Sequence, residues 1–183
     1  MKLVLKNVRA AFLNAFEAKA FEGGGGDPSF GGSFLVPPTH PQVKEIDAAI
    51  EAVAKEKWGA KATETLKQLR AKDKVCFRNG DDKASYDGFD GNMYVAASSK
   101  TRPLVIDRDK TPLVQSDGRP YSGCYVVASL EIWAQDNQYG KRVNATLKGV
   151  QFYADGDAFS GSTPASPDDF DDLSTGADAD ALA

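Results

Sequence analysis

The sequence predicts a mainly β, α+β domain whose sheet can close into a barrel, followed by an acidic tail. Three observations carry this. From Val75 onward, runs rich in β-branched and aromatic residues alternate with polar, glycine-containing turns. Helical periodicity is confined to one block, residues 39–72. The composition then changes abruptly after residue 160: residues 161–183 carry six aspartates and no lysine or arginine. The order of two strands, a helical insert, several strands and a tail suits a small barrel rather than a layered parallel sheet.

Residues 2–13 and 33–37 read as the first two strands, joined by a loop containing Gly23 to Gly26. In the helical block, Val43, Ile46, Ile50 and Val53 recur at helical spacing. Thr39 with Gln42 resembles a capping box, and Gly59 ends the run. A second short helix around Thr63 to Lys72 offers Leu66 and Leu69 to the same core. The remaining strand signals are "MYVAASS", "RPLVID", "CYVVASLEIWAQ" and "RVNATLKGVQFYA".

Side chains of a strand alternate between its faces, so the longest strands show which residues leave the core. Cys124, Val126, Ala128, Leu130, Ile132 and Ala134 form one apolar face. Tyr125, Val127, Ser129, Glu131, Trp133 and Gln135 form the other, where the two rings either meet a ligand or pack under the helical insert. In the last strand Val143, Ala145 and Leu147 share a face, but Val150 and Phe152 continue it out of phase. The slip falls at Lys148-Gly149 and predicts a β-bulge. Arg142, Asn144, Thr146, Lys148, Gln151 and Tyr153 then point outward. In "YVAASSK", Val95 and Ala97 face in while Tyr94 and Lys100 face out. Three strands thus offer rings or cations on one outer surface, the mixture that a sequence-tolerant single-strand binder needs for bases and phosphates.

The chain carries 22 Lys+Arg against 26 Asp+Glu, a net charge of -4. Setting the tail's six aspartates aside leaves 22 basic against 20 acidic residues, a net +2, for residues 1–160. The acidic balance therefore does not exclude a polyanionic partner. The polar linker "SGSTPASP" and the acidic tip "DDFDD" either imitate a polyanion or simply keep the protein soluble. No run of 18 apolar residues is present, and the N-terminus lacks the separate apolar segment of a signal peptide, so no membrane is expected as a partner. Cys76 and Cys124 are expected as buried, reduced thiols.

Other constellations argue against catalysis. "GGGG" is followed by no Gly-Lys-Ser/Thr and no helix, which excludes a phosphate loop. Asp81, Asp82, Asp87 and Asp90 lack the calcium-loop spacing, and two cysteines with one histidine make no zinc site. Tyr86 and Phe89 in the same loop either clamp a nucleic-acid strand or plug the space beneath the loop. His40 has no nucleophile near it in sequence and is expected to cap or to sit at the surface. No enzyme, metal or cofactor is expected.

The stretch "GFDGNMYVAASSKTRPLVIDRD", then "PYSGCYVVASLEIWAQDNQYGKRVNATLKGVQFYADGDAF", together with "FLVPPTHPQ", resembles a family of phage-encoded single-stranded-DNA-binding proteins long catalogued as a domain of unknown function. The resemblance spans roughly residues 1–160 and is most specific in the "YSGCYV…LKGVQF" block. It implies a five-stranded OB-fold barrel that coats single-stranded DNA in phage replication or recombination, in the cytoplasm of the infected bacterium. The tail is similar in style to those of other replication single-strand binders. Phe170, however, lies thirteen residues before the end, where such tails commonly finish in an aromatic or apolar tip.

The expectation is therefore a binding domain over 1–160, with a helical insertion at 39–72, and a disordered tail over 161–183. Tyr94, Tyr125, Trp133 and Tyr153 are the stacking candidates, with Tyr86 and Phe89 on their loop. Lys100, Arg102, Arg142 and Lys148 are the phosphate candidates. Replication or recombination proteins are expected as tail partners, alongside a homo-oligomer or cooperative assembly on DNA. The competing reading is an OB-fold adaptor that uses the same face to bind protein.

Overall fold

A computed structural model describes residues 1–20, 26–159, 170 and 171. Its elements are β1 (Lys2–Lys19), β2 (Ser29–Val36), α1 (Val43–Trp58), α2 (Ala62–Ala71), β3 (Phe77–Asn79), β4 (Met93–Ser99), β5 (Leu104–Ile106), β6 (Tyr125–Asn137) and β7 (Gly140–Ala154). Strand β2 pairs antiparallel with β1 and β4, β1 with β6, and β6 with β7. A parallel contact, Ser98 opposite Thr146, joins β4 to β7 and closes a five-stranded barrel. This is the connectivity of an OB fold.

The inward faces fill the barrel as the alternation predicts. Val126, Ala128, Leu130 and Ile132 of β6 are buried with Val143, Leu147 and Val150 of β7 and with Leu3, Leu5, Val8, Phe34 and Val95. The predicted bulge is present: Ser129 faces Gly149 while Leu130 faces Leu147, which leaves Lys148 as the extra residue. At the β2–β4 contact, Gly31 has no room for a side chain, because a Cβ there would come 2.6 Å from the Ala97 carbonyl oxygen.

Strand β1 extends to Lys19, well past the predicted residue 13, and β2 starts at Ser29 rather than 33. The register of β1 breaks three times, between Leu5 and Val8, between Ala11 and Asn14, and between Asn14 and Lys19, and in the first two breaks Asn7 (φ 55) and Phe12 (φ 50) are left-handed. Each break interrupts the period-two pattern and bends the strand around the barrel.

The insert is two helices, as the periodicity predicts. Ile46, Ala49, Ile50, Val53 and Ala54 of α1 and Leu66 and Leu69 of α2 join the barrel core, and α1 lies against β6. Gly59, at φ 55, ends α1 as expected. The capping box does not form: Gln42 occupies the cap position and no side chain caps the helix. Gln42 serves β1 instead. Its Oε1 accepts from the Lys6 N–H (2.7 Å), and its Nε2 donates to the Val4 carbonyl (2.8 Å). These are backbone groups beside the first bulge. His40 completes the arrangement, its Nδ1 accepting from the Gln42 N–H (3.1 Å), so that its Nε2–H donates to the Lys6 carbonyl (3.0 Å). His40 is therefore structural.

The chain leaving α2 occupies a fork between β4 and β7. The Cys76 N–H donates to Val143 and the Cys76 carbonyl accepts from Ala96, both at 2.9 Å, while the Val143 N–H donates to Lys74 (3.0 Å). Strand β3 then continues along β4. Cys76 and Cys124 are unpaired and buried, and burial pushes both thiols up to about 11.

Candidate nucleic-acid interface

The outer surface of β6 and β7 carries the row read from the alternation. Trp133 is 41 % exposed, and its Nε1–H donates to Thr146 Oγ1 (3.0 Å), which ties the ring to the neighbouring strand. Thr146 is the residue that meets Ser98 across the closing seam, so Trp133 marks the point where three strands come together. Arg142 pairs with Gln135 one step along, half-buried, and Lys148 projects from its bulge, exposed. Among the described residues neither cation is held in an ion pair. Glu131, on the same outer face, is neutralised by the N-terminal ammonium at 2.9 Å.

Tyr125 lies eight residues from Trp133 on β6, roughly 26 Å at the rise of a strand. The two cannot stack on the same base. Tyr125 is half-buried, and the Arg9 guanidinium stands over it, 5.7 Å from its ring centroid and 4.2 Å from that of Phe159. Arg9 is fixed there by hydrogen bonds to the Gly123 and Asp157 carbonyls, both 2.8 Å. Tyr153, at the same end as Tyr125, is exposed and carries Arg108 5.4 Å from its centroid. Lys100 and Arg102 are exposed beyond β4. Lys100 makes a long ion pair to Asp27 (3.4 Å), and Arg102 lies 5.9 Å from the centroid of Phe16.

Two of the stacking candidates are misplaced. Tyr94 leaves the barrel on the outer side, as expected, but is 3 % exposed, because Phe89 covers it with ring centroids 5.1 Å apart. Phe89 is itself fully buried and forms, with Ala11, Leu35 and Tyr94, a second small core outside the barrel. Of the two roles open to that loop ring, the plug is the one observed. The alternation of β4 gives the direction of Tyr94 but not the loop folded over it, and neither ring stands exposed on the sheet face.

Tyr86, on the same loop, stays half exposed and meets the ring of Phe12 edge-on at 5.1 Å. Phe12, Arg9 and Arg108 also belong to this surface, and strand alternation did not single them out. For Phe12 the bulge hides the signal. Arg9 and Arg108 reach it through contacts between distant parts of the chain, which no local pattern shows.

The fold has known relatives. The family described as Enterobacter phage Enc34, ssDNA-binding protein, matches residues 1–182. Putative protein p50 of Acyrthosiphon pisum secondary endosymbiont phage 1 is 47 % identical over 186 residues, the match covering all of both chains. Among solved structures, the single-stranded DNA-binding protein from bacteriophage Enc34 in complex with ssDNA superposes with a TM-score of 0.73 at 29 % identity, over 87 % of this chain and 89 % of that one. Bacteriophage T7 gp2.5, a single-stranded DNA-binding protein, shares the fold at a TM-score of 0.56 and 14 % identity, over 85 % and 93 % of the two chains. Barrel connectivity and a match along nearly the whole chain converge: the protein belongs to the Enc34-type phage single-stranded-DNA-binding family.

Proposed function

We propose that this chain binds single-stranded DNA along the outer face of its barrel without strong sequence preference. Its role is to protect or organise single strands during phage replication or recombination, in the cytoplasm of the infected bacterium. The observation that carries this is Trp133: a large ring left 41 % exposed on an ordered strand, anchored through its N–H, with Arg142 and Lys148 following on the adjacent strand. A ring fixed in this way presents a face to a base at little entropic cost, and the nearby cations suit the phosphates on either side. Tyr153 with Arg108 repeats the pairing of ring and cation at the other end of β7.

On this reading residues 1–160 are the DNA-binding domain and 161–183 an acidic tail that competes for the basic face or docks a replication partner. Apart from Phe170 and Asp171, the tail lies outside the described residues. On the same reading the protein acts by binding rather than by chemistry. The deciding experiment is titration with labelled oligo-dT, with a labelled duplex of equal length as the comparison. Single-strand binding that exceeds duplex binding supports the proposal. Absence of binding at low salt leaves the protein-adaptor reading in its place.

A further inference from the structure

A second aromatic cluster lies on the outer face where the far half of β1 meets the 80–92 loop. Phe12 stands in its bulge with φ 50, a left-handed conformation that is strained for a bulky residue. Bulges of this kind re-aim side chains. Here the effect is to hold a phenylalanine ring 50 % exposed, where it contributes little to either core. Tyr86 meets it edge-on at 5.1 Å and 82°, also half exposed. Buried Phe89 lies 5.8 Å from Phe12 and 6.3 Å from Tyr86, and Phe159 lines the same space. These four rings bound a cavity of about 200 Å³ that opens to solvent.

We propose that this cavity is a slot for one unpaired nucleobase of the bound strand, with Phe12 and Tyr86 supplying the stacking surfaces. The proposal rests on the single-strand-binding function proposed above and adds a second stacking point to it. The walls favour a base over a phosphate, because Asp87 lines the slot and Asp81, Asp82 and Asp90 belong to the same loop. The nearest cations are committed to ring faces: Arg9 over Phe159, and Lys83 5.2 Å from the centroid of Tyr94.

The slot is also continuous with the proposed interface. From Trp133 the path runs over Thr146, Ser98 opposite it, Gly31 opposite Ser98, and Asn14 opposite Gly31, two residues from Phe12. That is three strand spacings from Thr146, roughly 14 Å. Threonine, serine and glycine pave it, so no bulky side chain blocks a strand crossing the sheet. Such a span is well within the roughly 4–16 nucleotides that one OB fold covers.

The test uses the full chain and a labelled oligo-dT, together with the same oligonucleotide carrying 2-aminopurine at successive positions. Phe12→Ala and Tyr86→Ala should each weaken binding roughly tenfold, the scale of one lost stacked base. Tyr86→Phe should bind nearly as the unaltered chain does. One 2-aminopurine position should be quenched on binding, lose that quenching in Phe12→Ala, and keep it in Trp133→Ala. Thermal melting checks the fold, and Tyr86→Ala, on an exposed loop, remains informative if Phe12→Ala proves unstable. Unchanged affinity in folded Phe12→Ala and Tyr86→Ala, with Trp133→Ala weakened, overturns the slot alone. Failure of the unaltered chain to bind oligo-dT overturns the slot together with the function on which it rests.

Discussion

Replacing Trp133 by alanine separates its two roles, and each has its own magnitude. With 41 % of the residue exposed, roughly 100 Å² of ring contact is lost on truncation, at most about 2.5 kcal/mol of burial at 25 cal/mol/Å². The bond from Nε1 to Thr146 adds about 1 kcal/mol. A domain stable by about 5–15 kcal/mol survives this loss. Losing a stacked base costs about 1–3 kcal/mol of affinity, a rise in Kd of roughly 5- to 150-fold. The two effects part in Trp133→Phe, which lacks the bond to Thr146 but keeps an aromatic face, so it should melt lower than the unaltered protein while recovering most of the affinity. Anisotropy of labelled oligo-dT measures Kd for each variant, and urea melts measure stability. In the unaltered chain DNA should quench Trp133 fluorescence over a background from Trp58, whose Nε1–H is bonded to Asp136. A folded Trp133→Ala variant with unchanged Kd would refute the stacking role.

Three further outcomes are expected. With a net charge of only +2 on residues 1–160, the salt dependence of binding should be moderate, at about -0.7 in log–log slope per phosphate contacted; Arg142→Ala with Lys148→Ala should flatten it by about 1.4, and an unchanged slope would remove both residues from the interface. A chain ending at Phe159 should bind oligo-dT more tightly than the full chain at low salt, with the gap closing as salt screens the six tail aspartates, whereas identical curves at low salt would rule out competition by the tail. The hydrogen bond from Arg119 (2.6 Å), and then that from the Arg108 N–H, hold Asp107 below its ordinary 3.8, so the stability they contribute is present above that pH and is lost as pH falls through the lowered value. In urea melts the advantage of the unaltered protein over Asp107→Asn should therefore shrink below about pH 4, and a gap independent of pH would refute this.

What was legible in the sequence follows from periodicity. Strands β6 and β7 are long and half-buried, so period-two alternation fixed both faces and even located the bulge at Lys148. The helical insert was equally clear, because its apolar stripe repeats with helical spacing. Strand β1 was truncated in the reading because breaks in its register, two of them at the left-handed Asn7 and Phe12, reset its phase. The candidate surface was half legible. Trp133, Tyr153, Lys148 and Arg142 follow from alternation alone, whereas Tyr94 fails because its cover, Phe89, comes from a loop that no local pattern places over it. Gln42 shows the same limit: its nearest sequence partners suggest a helix cap, and its real partners are the backbone of β1, thirty-six residues away.

The segment that leaves α2 gives the insertion a structural job. Residues 74–76 hold Val143 on one side and Ala96 on the other, and below them the barrel closes through the Ser98–Thr146 contact. Shortening residues 39–72 to a tight loop would therefore do more than remove a peripheral decoration. It would pull this clasp out of the fork, leave backbone groups of β4 and β7 without partners, and bare the strand edges beyond the Ser98–Thr146 contact. Open edges seek other edges. A trimmed barrel of this kind should thus be prone to swap strands or aggregate, and the helical insert is better understood as the part of the chain that keeps the barrel shut.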